Sequence, residues 1–191
     1  MLLIFRGRDD CSIIYAKLNS SSFITIWDKR EKPSNLFFYQ GDISSLDEIK
    51  ELTEEEFDLI TCFQALGYSS NLNKTISYIR SHLVPGGRFV LSMAHPFRFA
   101  VERYENEGIP IGEAYRDESL YSYPSTWDKN IIVSHYKPMI STYVNTLLKN
   151  GFRLDSMSEP DLTEEQKEKY PHKAEWLAKY VGIIVYELTA I

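Results

Sequence analysis

The chain opens on a short apolar run, Leu2 to Phe5, followed by a tight polar stretch and an amphipathic segment, "CSIIYAKL" (Cys11 to Leu18). That order predicts a strand, a turn and a helix start. "FITIWD" (Phe23 to Asp28) is β-branched and aromatic and predicts a buried strand that ends at an acid. "NLFFYQGD" (Asn35 to Asp42) predicts a second strand of this kind. In "SSLDEIKEL" a Ser44 or Ser45 cap, early acids and helical spacing predict a helix. "FDLITCF" (Phe57 to Phe63) is again a buried strand. "NLNKTISYIRSHL" places Leu72, Ile76, Ile79 and Leu83 on one helical face, Pro85-Gly86-Gly87 stops that helix, and "RFVLSMA" begins another strand.

Strands alternating with helices predict an α/β protein with a mainly parallel sheet. Ligands of such sheets lie beyond the carboxyl ends of the strands. Asp28, Asp42, Cys62-Phe63 and His95-Pro96 all fall at predicted strand ends and so converge on one edge. From Phe97 to Lys137 the periodicity lapses into a stretch rich in Tyr, Gly and Pro. Loops of that length in compact domains act as lids or binding loops, and this one reads as a lid inserted in a single domain spanning 1–191. "MISTYVNTLLKNG" resumes a helix closed by Gly151. "FRLDSMSEP" and "YVGIIVYELTAI" predict a closing antiparallel pair at the sheet edge, with a charged, partly helical connector between them.

Composition narrows the partners. A net charge of −6 over 191 residues argues against a nucleic-acid or anionic-membrane surface. Cys11 and Cys62 form no disulfide framework and have no metal-ligand spacing, and no run approaches the roughly 18 apolar residues of a spanning helix. The expectation is a soluble cytoplasmic protein without a metal, acting on a small molecule, with a homo-oligomer possible. His95, at a strand end, and His135, in "SHYKP", are the candidate catalytic proton handlers, because imidazole titrates near neutrality. Tyr104, Tyr115, Tyr121, Tyr123 and Trp127 are candidates to line an apolar pocket.

Four segments, "FYQGDISSL", "FDLITCFQALGY", "IRSHLVPGGRFVLSMAHPF" and "YVNTLLKNGFRLDSMSEP", together resemble the class I S-adenosylmethionine-dependent methyltransferases, in particular the small-molecule enzymes of the ubiquinone-biosynthesis-like group. The resemblance implies a Rossmann-like, seven-stranded sheet with a reversed last strand, and methyl transfer from S-adenosyl-L-methionine. It implies that Asp42 accepts from the adenine amino group, with the Ile43 N–H beside it, and that Asp28 takes the ribose hydroxyls. Cys62 and Phe63 would touch the methionine end through backbone atoms. Gly67-Tyr68 falls where related enzymes often carry a histidine, so the glycine leaves no proton acceptor there.

Family members also carry a G-x-G-x-G loop. Aligned through Asp28, Gly7 takes the first glycine position, Asp9 the second and Cys11 the third, while Phe5 stands where an acid is usual. Only "KREKPSN" separates the strand ending at Asp28 from the next, too little for an ordinary crossover helix, and the helices that usually precede the first strand are not present in this sequence. Two functions remain open on this reading. One is a small-molecule methyltransferase whose trimmed loop still tolerates the cofactor. The other is a non-catalytic remnant that binds it weakly or not at all. A different nucleotide enzyme such as a dehydrogenase fits less well, since it needs the same glycine loop.

Overall fold

The computed structural model describes residues 2–5, 11–16, 36–124 and 130–191. Its frame is a seven-stranded sheet of β1 (Leu2–Phe5), β2 (Cys11–Ala16), β3 (Leu36–Gly41), β4 (Phe57–Phe63), β5 (Leu83–Ala94), β8 (Phe152–Ser158) and β9 (Ile183–Ala190), in the order β3-β2-β1-β4-β5-β9-β8. β2, β3, β4, β5 and β8 run one way, and β1 and β9 run against them. Only two of the six neighbouring pairs, β2 with β3 and β4 with β5, are parallel, so the sheet is mixed rather than mainly parallel, and β9 is the reversed last strand that the resemblance implies.

The second reversed strand was not expected. β1 pairs antiparallel with both β2 and β4, with Leu2 opposite Cys62 and Phe5 opposite Leu59. The segment from Cys11, expected as a helix, is instead β2, paired in parallel with β3 from Cys11↔Leu36 to Ala16↔Gly41. "CSIIYA" carries two Ile and a Tyr, which pack well on a pleated surface, and the neighbouring strand decides between the two periods.

The other elements follow from local sequence. β4 ends in a continuous buried run, Ile60, Thr61 and Cys62, as suits a strand flanked on both sides. The expected helix after β3 is two short 3₁₀ segments, Ile43–Glu48, kinked internally at Ser45 (φ −135°, ψ 44°), and Lys50–Leu52, which meet at Ile49. Helix α1 (Leu72–Ser81) is capped by Asn71, whose side chain accepts from the Lys74 N–H at 3.0 Å. It buries Ile76 and Ile79 and precedes β5.

Pro85-Gly86-Gly87 lies inside β5 rather than before it. Phe57 pairs with Leu83 and Leu59 already with Arg88, so the glycines form a bulge. Gly86 has φ +78°, and a Cβ on Gly87 would stand 2.9 Å from the Val84 carbonyl oxygen, so neither position suits a larger residue.

The stretch from Phe97 to Lys137, expected to be largely irregular, holds α2 (Pro96–Glu107), α3 (Ile111–Arg116) and an antiparallel hairpin of β6 (Leu120–Pro124) and β7 (Ile132–Tyr136). Gly108, left-handed at φ 72°, ends α2. After α4 (Ile140–Lys149), β8 and β9 form the expected antiparallel pair, with β8 at the edge, and α5 (Glu164–Lys169) and α6 (Pro171–Lys179) fill the connector. The core sits where Ile60, Phe89, Leu91, Ile184, Tyr186 and Leu188 of the sheet meet Ile76 and Ile79 of α1 and Tyr143 and Leu147 of α4. Among the described residues no helix is long and apolar enough to cross a membrane.

Candidate active site

β3, β4 and β5 end on one edge of the sheet, and three predicted site positions stand there. Asp42 follows β3, exposed, and its Oδ1 accepts from the Ser44 N–H at 2.7 Å. Ile43 beside it is buried, and its carbonyl accepts from the Thr75 hydroxyl at 2.9 Å. Ser44 Oγ accepts from the Ser70 N–H at 3.0 Å. These bonds fasten the end of β3 to the segment that follows β4.

Phe63, half-buried, ends β4. The next residue, Gln64, is the one non-glycine with positive φ (53°) among the described residues, and its N–H donates to the Ser92 carbonyl on β5 at 2.8 Å. The chain thus turns sharply off β4 and enters a 3₁₀ turn at Leu66–Tyr68. Cys62 is fully buried, and burial pushes its thiol up to about 11. It is a core residue without thiolate chemistry. Gly7 and Asp28 lie outside the described residues, as does Trp127.

His95 and His135 differ in what their rings have left to offer. His95 caps α2: its Nδ1 accepts from the Phe97 N–H at 3.1 Å, and its Nε2 donates to Glu159 Oε1 at 2.8 Å. Both nitrogens are thereby occupied, so His95 holds the β5–α2 corner to the segment after β8. His135 lies on β7, opposite Tyr121. Its ring stacks on Tyr68 (5.6 Å between centroids) and meets the edge of Phe99 (4.7 Å). Its Nε2 is 2.8 Å from Tyr123 Oη. Burial, then Lys137 and Arg98, hold its pKa down at about 4, so the ring is neutral near pH 7.

The hairpin reaches the edge of the sheet through Gly67. A Cβ there would stand 3.2 Å from the Tyr136 carbonyl oxygen and 3.4 Å from His135 Nδ1. His135, from a strand far along the chain, thus packs against the turn that follows β4. Of the tyrosines expected to line a pocket, Tyr123 packs on His135 and Tyr121 on Tyr123, whereas Tyr104 is exposed.

Glu159 and Lys137 are further parts of this region that sequence reading passed over. The alternation of His135 and Lys137 in "SHYKP" was the available signal, since alternate residues of a strand share a face. Among the described residues no three His, Cys, Asp or Glu side chains gather as a metal site would need.

Comparisons with known proteins place the fold and the family. A curated relative from Haemophilus influenzae, itself an uncharacterized protein, is 27% identical over 129 residues, which are 63% of this chain and 49% of the relative. The chain thus spans about half the length of that relative. An S-adenosylmethionine-dependent methyltransferase structure from Mesorhizobium loti superposes with a TM-score of 0.70 at 22% identity, covering 93% of this chain and 80% of that one. A Listeria monocytogenes protein assigned to the same class superposes with a TM-score of 0.75 at 20% identity, covering 94% and 80%. At these identities the likeness is one of fold. The family profile described as a methyltransferase domain matches residues 25–172, most of the chain and all of the β3–β5 edge with its hairpin. The chain therefore belongs to the methyltransferase-domain family.

Proposed function

We propose that this protein transfers the methyl group of S-adenosylmethionine to a small molecule held between the β3–β5 edge and the β6–β7 hairpin. The observation that carries the reading is the seating of His135 on Gly67, which brings a neutral imidazole to the turn after β4. When bound, the cofactor would supply an electrophilic methyl group on its sulfonium.

The described residues fit the cofactor at the outer part of the edge. Asp42 is exposed at the end of β3 and uses one carboxylate oxygen for its own cap, which leaves the other for an adenine amino group. The turn at Gln64 presents backbone beside Phe63, where the methionine end would lie.

The protein's own groups would orient the acceptor and take up its proton. With its proton on Nε2, His135 donates to Tyr123 Oη and keeps Nδ1 as an acceptor beside Gly67. Desolvation holds the Tyr123 phenol up at about 12, so it stays protonated and fixes the imidazole. Positioning supplies much of the rate of a displacement of this kind, with the base contributing in addition.

Calorimetry with S-adenosylhomocysteine tests the reading. Saturable binding that Asp42→Ala weakens about tenfold, roughly the loss of one charge-assisted hydrogen bond, is the expected result. Absence of any heat at millimolar ligand would overturn it and leave the second reading, a non-catalytic remnant. One observation favours that second reading: β1 runs against β4 and ends at Leu59, so its carboxyl end does not join those of β3 and β5.

A further inference from the structure

Three buried side-chain polar atoms have no hydrogen-bond partner among the described residues: the hydroxyls of Tyr78 and Tyr186, and Lys137 Nζ. An unpaired phenol costs little beside an unpaired ammonium, which carries a full charge and three donors. Lys137 is only 5% exposed. It follows β7 two residues after His135, on the same inward side of the hairpin.

Its Nζ stands 3.9 Å from the centre of the Tyr121 ring, and the Arg103 guanidinium stands 5.4 Å from the same ring. Arg103 has its counter-ions, Asp117 at 2.6 Å and Glu107 at 3.3 Å. Among the described residues Lys137 Nζ has a ring face against it and no hydrogen-bonding anion, with Asp117, Glu107 and Glu102 acting on it only at longer range.

We propose that Lys137 anchors the carboxylate of a flat, singly charged substrate, whose body lies against Tyr121, Tyr123 and Phe99 and whose methyl-accepting atom faces His135. This names the substrate class for the methyl transfer proposed above and rests on that reading. Alternate residues of a strand are about 6–7 Å apart, roughly the span of an aromatic ring with its carboxyl group. The charge around Lys137 favours one negative charge over two. Glu102, Glu107 and Asp117 act on it together with Arg103, so a dianion such as phosphate would meet three carboxylates against two cations. A bound carboxylate would also favour the charged form and so raise the lysine, which burial holds down at about 8.

The test is a titration of the cofactor-free protein with benzoate, with benzamide as its neutral isostere and inorganic phosphate as the dianion. The side-chain ε-carbon resonance of Lys137, assigned through Lys137→Met, reports binding. Benzoate is expected to saturate and to move that resonance, with benzamide and phosphate at least tenfold weaker. Lys137→Met should lose benzoate tenfold or more, about one charge-assisted hydrogen bond. Lys149→Met, at an exposed position of α4, should keep it.

Equal binding of benzamide, phosphate binding as tight as benzoate, or an unmoved Lys137 resonance at tens of millimolar benzoate would each overturn the proposal. The wild-type resonance decides the matter even if the methionine variant folds poorly. Because no cofactor is present, a failure of methyl transfer with benzoate binding intact would count against the function and not against this anchor, and the reverse result would count against the anchor alone.

Discussion

Burying His135 neutral ties stability to pH. Its pKa falls from an ordinary 6.5 to about 4 on folding, so between those values the unfolded chain binds more protons. The stability this group contributes is complete above pH 6.5 and is lost as pH falls through 4, a change on the order of 3 kcal/mol. Urea unfolding of wild type and His135→Gln between these limits is expected to show a shallower pH slope in the variant, and parallel slopes would contradict the burial effect.

Lys137 behaves in the same sense at higher pH. Its pKa is held down at about 8, so its burial opposes folding below pH 8, and the opposition fades as pH rises toward 10.5. Lys137→Met should therefore melt higher than wild type at pH 7, by a margin that narrows at pH 10. An apolar chain of similar length removes a buried charge that makes no hydrogen bond among the described residues.

The elements around the site are held by a few side chains that bridge distant segments. Glu118 Oε1 accepts from the Met139 N–H and from the Thr142 hydroxyl, both at 2.6 Å, and so caps α4 from the turn before β6. A carboxylate at a helix N-terminus satisfies orphan amides and opposes the helix dipole's positive end. Glu118→Ala is expected to destabilise by about 1–2 kcal/mol and to speed hydrogen exchange in both α4 and the hairpin, since one side chain serves both. A loss confined to α4 would show that the bridge does not hold the hairpin.

Arg80 acts similarly at the far end of α1. It donates to the carbonyls of Gly151 (3.0 Å), Leu83 (3.3 Å) and Ile191 (2.5 Å), joining α1 to the ends of β8 and β9.

For the whole molecule, the decisive feature is the direction of β1. The seven strands and the reversed β9 are those the resemblance implies, yet β1 begins at the edge where its neighbour β4 ends, with Leu2 opposite Cys62. Cys11, aligned with the third glycine of a loop, is the first residue of β2, opposite Phe5 and Leu36. Losing the close backbone approach of such a loop costs about 2–4 kcal/mol, at about 1–3 kcal/mol for each unsatisfied group. A micromolar site would move to a Kd of roughly 0.1–1 mM. Weak binding of S-adenosylmethionine in that range is the expected calorimetric result. A low-micromolar constant would show that the segment around Gly7 serves as a cofactor loop after all.

Local chemistry decided much of this protein before any tertiary contact. The apolar runs at Phe57 to Phe63 and in "RFVLSMA", the Asn71 cap and the helical stripe of Leu72, Ile76 and Ile79 specify their elements wherever they fold, because period and capping act within a few residues. The same locality made the strand-end positions Asp42, Phe63 and His95 legible as one edge.

Other features were not written locally. "CSIIYA" suits either period, and only the neighbouring Leu36–Gly41 strand fixes it as β2. The direction of β1 is likewise a matter of pairing, not of its four residues. Whether His95 or His135 keeps a lone pair depends on Phe97 and Glu159 in one case and on Tyr123 and Gly67 in the other. Hydrogen-bond partners and burial come from residues far apart in the chain, so the sequence alone does not set the bonds of either ring or the burial of Lys137.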